Sequence, residues 1–300
     1  GTRTHGNITF KRTHKFVEPD DIYPELPIIT TSANTGYTYY DLNNNKNITR
    51  SIAGAGFDLA YPLKNQGNLF NTKVSHLLIP KITYKYRGKK VQGDIPIFDT
   101  DDNYDNIITF DELTHNERYT GLDRISNAND FTYSIEYGTR KINAKKIDPD
   151  LLNVKVAQTY YEDHEVVSDQ PNTTFEPRGG YSNIAASINL AINKVAFSTF
   201  ASIDPDNYSI VNKQNTISYR VNPRKFISLA YSNDGTKRDV KFYGSLPITK
   251  SIHIFAGRDK TTSTNVTNME TSGIVYQSCC WAFRIAHMKT PADSDYNYST

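Results

Sequence analysis

The chain of 300 residues contains a single tryptophan, two methionines and two cysteines. No stretch approaches the ~18–20 consecutive apolar residues of a membrane-spanning helix, which excludes a helical membrane protein. An excess of one charge is missing too: 34 basic against 32 acidic side chains leave a formal net charge of +2. That near-balance argues against a nucleic-acid partner, whose binding domains carry a clustered basic surplus. Helical periodicity is also lacking, since no window sustains capped apolar residues at i, i+3, i+4 and i+7. The chain opens on Gly1-Thr2-Arg3-Thr4 without an initiating methionine or an apolar leader. It therefore reads as an excised fragment or as a chain whose signal was removed.

What is abundant is tyrosine and phenylalanine, 21 and 14 residues, a balance that favours strands. Alternation runs through the chain. Ile184, Ala186, Ile188, Leu190 and Ile192 share one face, and Asn183, Ala185, Ser187, Asn189 and Ala191 share the other. The same pattern recurs over 6–16, 25–40, 47–62, 69–86, 129–140, 152–162, 195–203, 211–221, 225–233, 239–247, 251–258, 270–277 and 279–287. That makes about fourteen strands. Short turns are expected at 64–68, 191–194, 222–224 and 249–251, and long polar loops at 87–127, 163–179, 202–212 and 259–269. Short turns alternating with long loops, in an antiparallel meander rich in aromatics, imply an all-β up-and-down transmembrane barrel of the bacterial outer membrane. A soluble sandwich would mix its loop lengths through Greek-key crossings. A hydrophobic content of 37% is no obstacle, because only alternate strand residues face lipid.

The two cysteines are adjacent, Cys279-Cys280, at the end where the meander places short turns. Neighbouring strand residues point to opposite faces, so a bond between them would be strained. In an oxidising periplasm each is expected to pair with a cysteine outside these 300 residues. The alternative is two unpaired small hydrophobes.

Catalytic patterns are not evident. The seven histidines are dispersed, with no G-x-S-x-G, H-E-x-x-H or P-loop context, so no enzyme and no cofactor is expected. Asp99, Asp101 and Asn103 begin like a calcium loop, but Tyr104 stands where glycine is required and Phe110 where glutamate is, so no metal is expected. Asp123 and Arg124 are candidates for an ion pair or hydrogen-bond anchor that fixes the long loop; the alternative is a solvated pair. Lys85, Arg87, Lys89 and Lys90 form a basic cluster able to meet phosphates, or an ordinary charged loop base.

Arg118-Tyr119-Thr120-Gly121-Leu122-Asp123-Arg124-Ile125-Ser126-Asn127-Ala128-Asn129 resembles the R-[FY]-x-G-x-D-R-I-x-x-A-N signature of the lipopolysaccharide-assembly LptD family. Ala157-Gln158-Thr159-Tyr160-Tyr161 follows where that family carries G-Q-x-Y-Y, and Tyr276 to Arg284 matches its double-cysteine block. Near Pro27 and Thr30, Glu25 replaces the basic residue of the family's strand entry. The resemblance implies that residues 1–300 are the C-terminal portion of a large barrel domain, ending before its final strand. It implies a translocon that assembles lipopolysaccharide into the outer leaflet of a Gram-negative outer membrane. Its partners would be the LptE lipoprotein plug, the LptA periplasmic bridge (through an N-terminal domain outside this chain), lipopolysaccharide and outer-membrane lipids. It also implies that Cys279 and Cys280 bond to cysteines of the N-terminal periplasmic region, and that Arg118, Gly121, Asp123, Arg124, Asn127 and Asn129 anchor the long loop. Lys85, Arg87, Lys89 and Lys90 are then candidate contacts for lipopolysaccharide phosphates. A passive porin is the alternative reading of the same meander.

Overall fold

The structure, a computed structural model, describes residues 1–16, 26–42, 46–90, 92–99, 109–115, 121–142, 151–166, 176–222 and 224–290. Among the described residues it is all-β apart from one short helix. The elements in order are β1 (Thr2–Lys15), β2 (Ile28–Leu42), β3 (Lys46–Ala60), β4 (Leu63–Leu69), β5 (Thr72–Arg87), α1 (Phe110–His115), β6 (Ala128–Lys141), β7 (Leu152–Val166) and β8 (Glu176–Tyr181). They continue with β9 (Ile184–Ile192), β10 (Val195–Ile203), β11 (Ile210–Asn222), β12 (Lys225–Asn233), β13 (Arg238–Pro247), β14 (Ile252–Thr261), β15 (Val266–Gln277) and β16 (Ala282–Lys289). The sheet has sixteen strands, and its hydrogen-bonded path follows chain order except that β4 and β8 lie off it.

Several local expectations are corrected. The path contains the fourteen expected strands, and the two additional strands fall inside segments read as connections. Residues 64–68 are not a turn but lie in β4, which pairs with β5 from Leu63↔Leu78 to Leu69↔Thr72. The turn itself is Phe70-Asn71, with φ of +47° and +61°, the left-handed pair of a two-residue hairpin. Proline at 62 has no N–H for the ladder, so the strand breaks there and resumes as β4. Residues 163–179 are not one loop, because β7 runs to Val166 and β8 starts at Glu176. Nor is 259–269 a long loop: only 262–265 separate β14 from β15. The helix α1 was not expected either.

The chain forms two compact units. One comprises Gly1–Asp148, Asn153–Ser187 and Ser202–Ser209; the other Pro149–Leu152, Ile188–Ala201 and Ile210–Thr300. In the first, register puts Arg3 opposite Tyr40, Thr38 opposite Arg50, Thr83 opposite Thr132 and Thr132 opposite Thr159, making one polar face. Phe57↔Tyr84, Leu59↔Ile82, Ile82↔Tyr133 and Ile135↔Val156 make the other, and its large apolar side chains are exposed, Ile135 by 52%. The face that a water-soluble sheet would solvate with polar groups is here apolar, as lipid contact requires.

The second unit shows the same inversion. Ile217↔Leu229, Tyr219↔Ile227, Leu246↔Ile254 and Ile274↔Ile285 line an exposed apolar face. On the opposite face Lys241 Nζ lies 3.1 Å from Asp259 and Thr261 donates to Asp239 at 2.6 Å. A Cβ built on Gly257 would meet the Tyr243 ring at 2.5 Å, and one on Gly273 would meet Phe255 at 2.7 Å. The Tyr243 and Phe255 rings thus lie directly against two glycines. This is a close approach that only glycine permits.

Candidate functional site

Of the connection 88–127, residues 92–99 and 121–126 lie back on the polar face of β1–β3, and the contact is built from charged groups. Asp123, in the segment after Gly121, is fully buried. Its Oδ1 accepts from Arg3 Nη1 at 2.8 Å and from Tyr40 Oη at 3.2 Å. Its Oδ2 accepts the backbone N–H groups of Phe98 and Asp99 at 2.6 and 2.9 Å. One carboxylate therefore ties both ends of the loop to two strands. Asp99 completes the clamp: its two oxygens take the two arms of the Arg3 fork at 2.7 and 2.5 Å. Asp99 Oδ1 also accepts from Leu122 N at 3.1 Å. The Arg3 guanidinium, the largest influence, holds the Asp99 carboxyl well below the usual carboxylate range.

Arg50 on β3 is the second anchor, and its side chain is buried. Its Nη1 donates to Gln92 Oε1 and to the Asp123 carbonyl, both at 2.8 Å, and its Nη2 donates to the Leu122 carbonyl and to Thr38 Oγ1. Gln92 then stitches the loop to itself, accepting from Ile125 N at 3.0 Å and donating to Ile125 O at 2.7 Å. Arg124 is buried and donates through Nη1 to the Ile95 and Asp123 carbonyls at 2.9 and 3.2 Å. A buried guanidinium satisfied by several fixed oxygens is tolerable where a bare one is not. Tyr40 stacks on Phe98 with centroids 6.4 Å apart. Gly121 adopts φ +69°, and an added Cβ there would overlap the Asp99 carbonyl. Glycine is required on both grounds.

The loop has a second foothold through α1. Phe110 and Leu113 are buried, and Lys155 Nζ on β7 lies 4.9 Å above the Phe110 ring.

Of the residues singled out from sequence, Gly121, Asp123 and Arg124 meet at this contact, and Asn127 is buried beside it. Arg118 lies outside the described residues, as do Asp101, Asn103 and Tyr104. Asn129 is on the opposite face, where Oδ1 accepts from Tyr84 Oη at 3.0 Å. Lys85 and Arg87 are half-buried on the polar face of β5, with Arg87 Nη1 donating to Ser126 O at 3.3 Å. Lys89 and Lys90 are exposed beyond the strand end. Arg3, Tyr40, Arg50 and Gln92 were not foreseen. The only signal for three of them is a bulky or charged residue among small polar neighbours in an alternating strand.

Cys279 and Cys280 stand not in a strand, as expected, but on the bend between β15 and β16. Both are free and exposed, and their sulfurs lie 2.9 Å apart. The neighbouring Cys279 sulfur raises the Cys280 thiol above its ordinary pKa. The bend is held from outside. Arg224, on the β11–β12 turn, donates to Lys250 O at 2.7 Å and to Gln277 Oε1 at 3.0 Å, and Gln277 N donates to Ser251 O at 2.8 Å. Three successive turns at one end of this unit are thereby joined.

A family model described as LPS transport system D, LptD, matches residues 21–245. The LPS-assembly protein LptD of Shewanella frigidimarina is 28% identical over 277 residues, covering 86% of this chain and 35% of the relative. The LPS-assembly protein LptD of Azoarcus sp. is 25% identical over 317 residues, covering 93% and 37%. That of Pseudomonas putida strain GB-1 is 24% identical over 324 residues, covering 94% and 33%. The chain thus spans about a third of the length of these curated relatives. Among solved structures, the open form of the ferric-catecholate import receptor Fiu from E. coli K12 aligns with a TM-score of 0.37 at 13% identity, over 95% of this chain and 51% of that one. A likeness that slight bears no weight.

Proposed function

The chain belongs to the LPS transport system D family, LptD, and from that premise we propose that it is a portion of an outer-membrane translocon that assembles lipopolysaccharide into the outer leaflet. It is an outer-membrane β-barrel protein of a Gram-negative bacterium. The 300 residues are read as the C-terminal portion of the barrel domain. The working protein would act with the LptE lipoprotein as plug and receive its cargo from the LptA periplasmic bridge. The role is transport without covalent chemistry. Cys279 and Cys280 would bond to cysteines of the N-terminal periplasmic region.

The observation that supports this reading best is the loop clamp. A translocon for a phosphorylated glycolipid needs a polar interior that stays shut to small solutes. Here a 40-residue connection, 88–127, is tied across the polar face by Arg3, Arg50 and Asp123. The exposed bend carrying two free thiols is compatible with long-range disulfide partners, since the chain holds no third cysteine.

The test uses full-length protein from native membranes, run on gels with and without reductant. A mobility shift on reduction that is lost in the Cys279→Ser, Cys280→Ser variant, together with increased permeability to bulky antibiotics, is expected. An unchanged gel pattern with unchanged permeability would overturn the reading. Steady single-channel conductance of the purified protein without any plug lipoprotein would favour a passive porin instead.

A further inference from the structure

One end of the second unit carries charge of a single sign. The connections β9–β10, β11–β12, β13–β14 and β15–β16 fall at that end, because they are alternate turns of one antiparallel meander. The segments around the first three, 188–200, 217–229 and 245–257, contain Lys194, Arg220, Arg224, Lys225 and Lys250 and no aspartate or glutamate. The segment around the fourth, 272–285, has no acid either. The opposite end of the same strands mixes both signs, with Asp239, Asp259 and Glu270 among Arg238, Lys241 and Lys260.

Hydrogen bonds join the cationic turns to one another. Arg220 N donates to Lys194 O at 2.7 Å, and Arg224 Nη1 donates to Lys250 O at 2.7 Å. The other arm of Arg224 reaches Gln277 Oε1 at 3.0 Å. Both acceptors are uncharged, so this guanidinium is positioned without being neutralised. Arg220 lies 5.4 Å from the centre of the Phe226 ring, a contact that also leaves its charge intact. Lys194, Lys225 and Lys250 are exposed, and among the described residues none of the three is paired with a carboxylate. The cations border the apolar face directly: Tyr219, Ile227, Leu246 and Ile248 are exposed beside them, and Trp281 is exposed on the bend. Long cationic side chains and aromatics at the edge of an apolar band suit the boundary between hydrocarbon and headgroups, where stems and rings lie in lipid and charges reach phosphate.

We propose that this rim is a docking surface for the anionic phospholipid headgroups of the periplasm-facing leaflet. Short turns of outer-membrane barrels lie on the periplasmic side, so the rim meets that leaflet, and its apolar border continues the lipid-facing surface of the strands. Charge complementarity selects the headgroup. Five cations with no acid among them attract a phosphate whose negative charge is uncompensated, and attract a zwitterionic headgroup less. A soluble acidic partner would make no use of the bordering apolar band. The inference needs the outer-membrane placement alone and is independent of lipopolysaccharide delivery. Its consequence is that bound headgroups hold the β15–β16 bend, with its two thiols, at the membrane surface.

The experiment is native mass spectrometry of the full-length protein in detergent, with phosphatidylglycerol as probe and phosphatidylethanolamine as the zwitterionic comparison. Phosphatidylglycerol adducts are expected. Lys194→Gln, Lys225→Gln and Lys250→Gln should each weaken them about fivefold, the worth of one cation at an anionic surface, and the three together about a hundredfold. All variants should keep a heat-modifiable band on gels, since these exposed side chains hold no part of the sheet. A Lys237→Gln, Lys260→Gln protein, which loses two cations from the opposite end, should retain the lipid as wild type does. Undiminished adducts in the triple variant overturn the surface. Equal loss in the opposite-end variant reduces the effect to net charge and overturns it too. Equal retention of phosphatidylethanolamine overturns the anionic assignment. Displacement of phosphatidylglycerol from these lysines by lipopolysaccharide at equal concentration overturns phospholipid as the occupant.

Discussion

Arg3 and Asp123 stand 120 positions apart, yet Arg3 Nη1 donates to Asp123 Oδ1 at 2.8 Å, and Asp123 has no solvent exposure. A strand at one edge of the first unit thereby fixes the core of a loop that leaves the sheet four strands later. Breaking a buried pair by deleting one partner costs about 3–5 kcal/mol, because the other charge is left uncompensated. Asp123→Ala should therefore free the loop, measured as faster proteolytic cleavage between residues 88 and 127 in the folded protein. Asp123→Asn, which keeps one acceptor oxygen, should do so less. Equal cleavage of wild type and Asp123→Ala would show that the pair does not hold the loop.

Gly121→Ala tests the backbone at the same place. A left-handed residue other than glycine costs about 1–2 kcal/mol. Here the added methyl also runs into the Asp99 carbonyl. Cleavage of the loop should rise at least as far as in Asp123→Asn, and an unaltered digestion pattern would contradict the conformation.

Acid should release the clamp late. Because Asp99 is held below its ordinary pKa by Arg3, its contribution is present above the unfolded value, about 3.9, and is lost as pH falls through the lowered folded value. Loop protection should be constant from about pH 7 to 5 and decline only below about 4. Digestion with an acid-active protease reads this directly. In Asp99→Asn the protection should be weaker at neutral pH.

The two thiols make a kinetic prediction. Cys279 raises the pKa of Cys280, and the thiolate is the nucleophile. In the reduced protein, Cys279→Ala should accelerate alkylation of Cys280 by iodoacetamide near neutral pH. A rate that does not change would mean that the sulfurs are not in contact.

Gly273→Ala tests the second unit. The methyl would meet Phe255 at 2.7 Å and the Ile285 carbonyl, and overpacking of this kind costs about 1–3 kcal/mol. The heat-modifiable band of the full-length protein should convert at lower temperature, and no change would refute the notch.

Strand content and facing were decided by the sequence itself. Alternation is a local property with period two, so Ile217, Tyr219, Ile227 and Leu229 announce their shared face without knowledge of their partners. The Arg118–Asn129 motif also pointed to the loop segment that matters. Turn chemistry was less legible: 64–68 looked polar enough for a turn, yet β5 supplied a ladder partner and turned it into β4. The strands around 262–265 likewise extend because pairing continues to Thr261↔Val266, although the residues there read as loop. Only tertiary structure chose Arg3, Tyr40, Arg50 and Gln92 as the loop's anchors. Each is an ordinary residue at its own position in the chain. Its role arises from being brought within hydrogen-bond reach of Asp123, Leu122 or Ile125, and that proximity comes from strand register and loop return rather than from any local pattern.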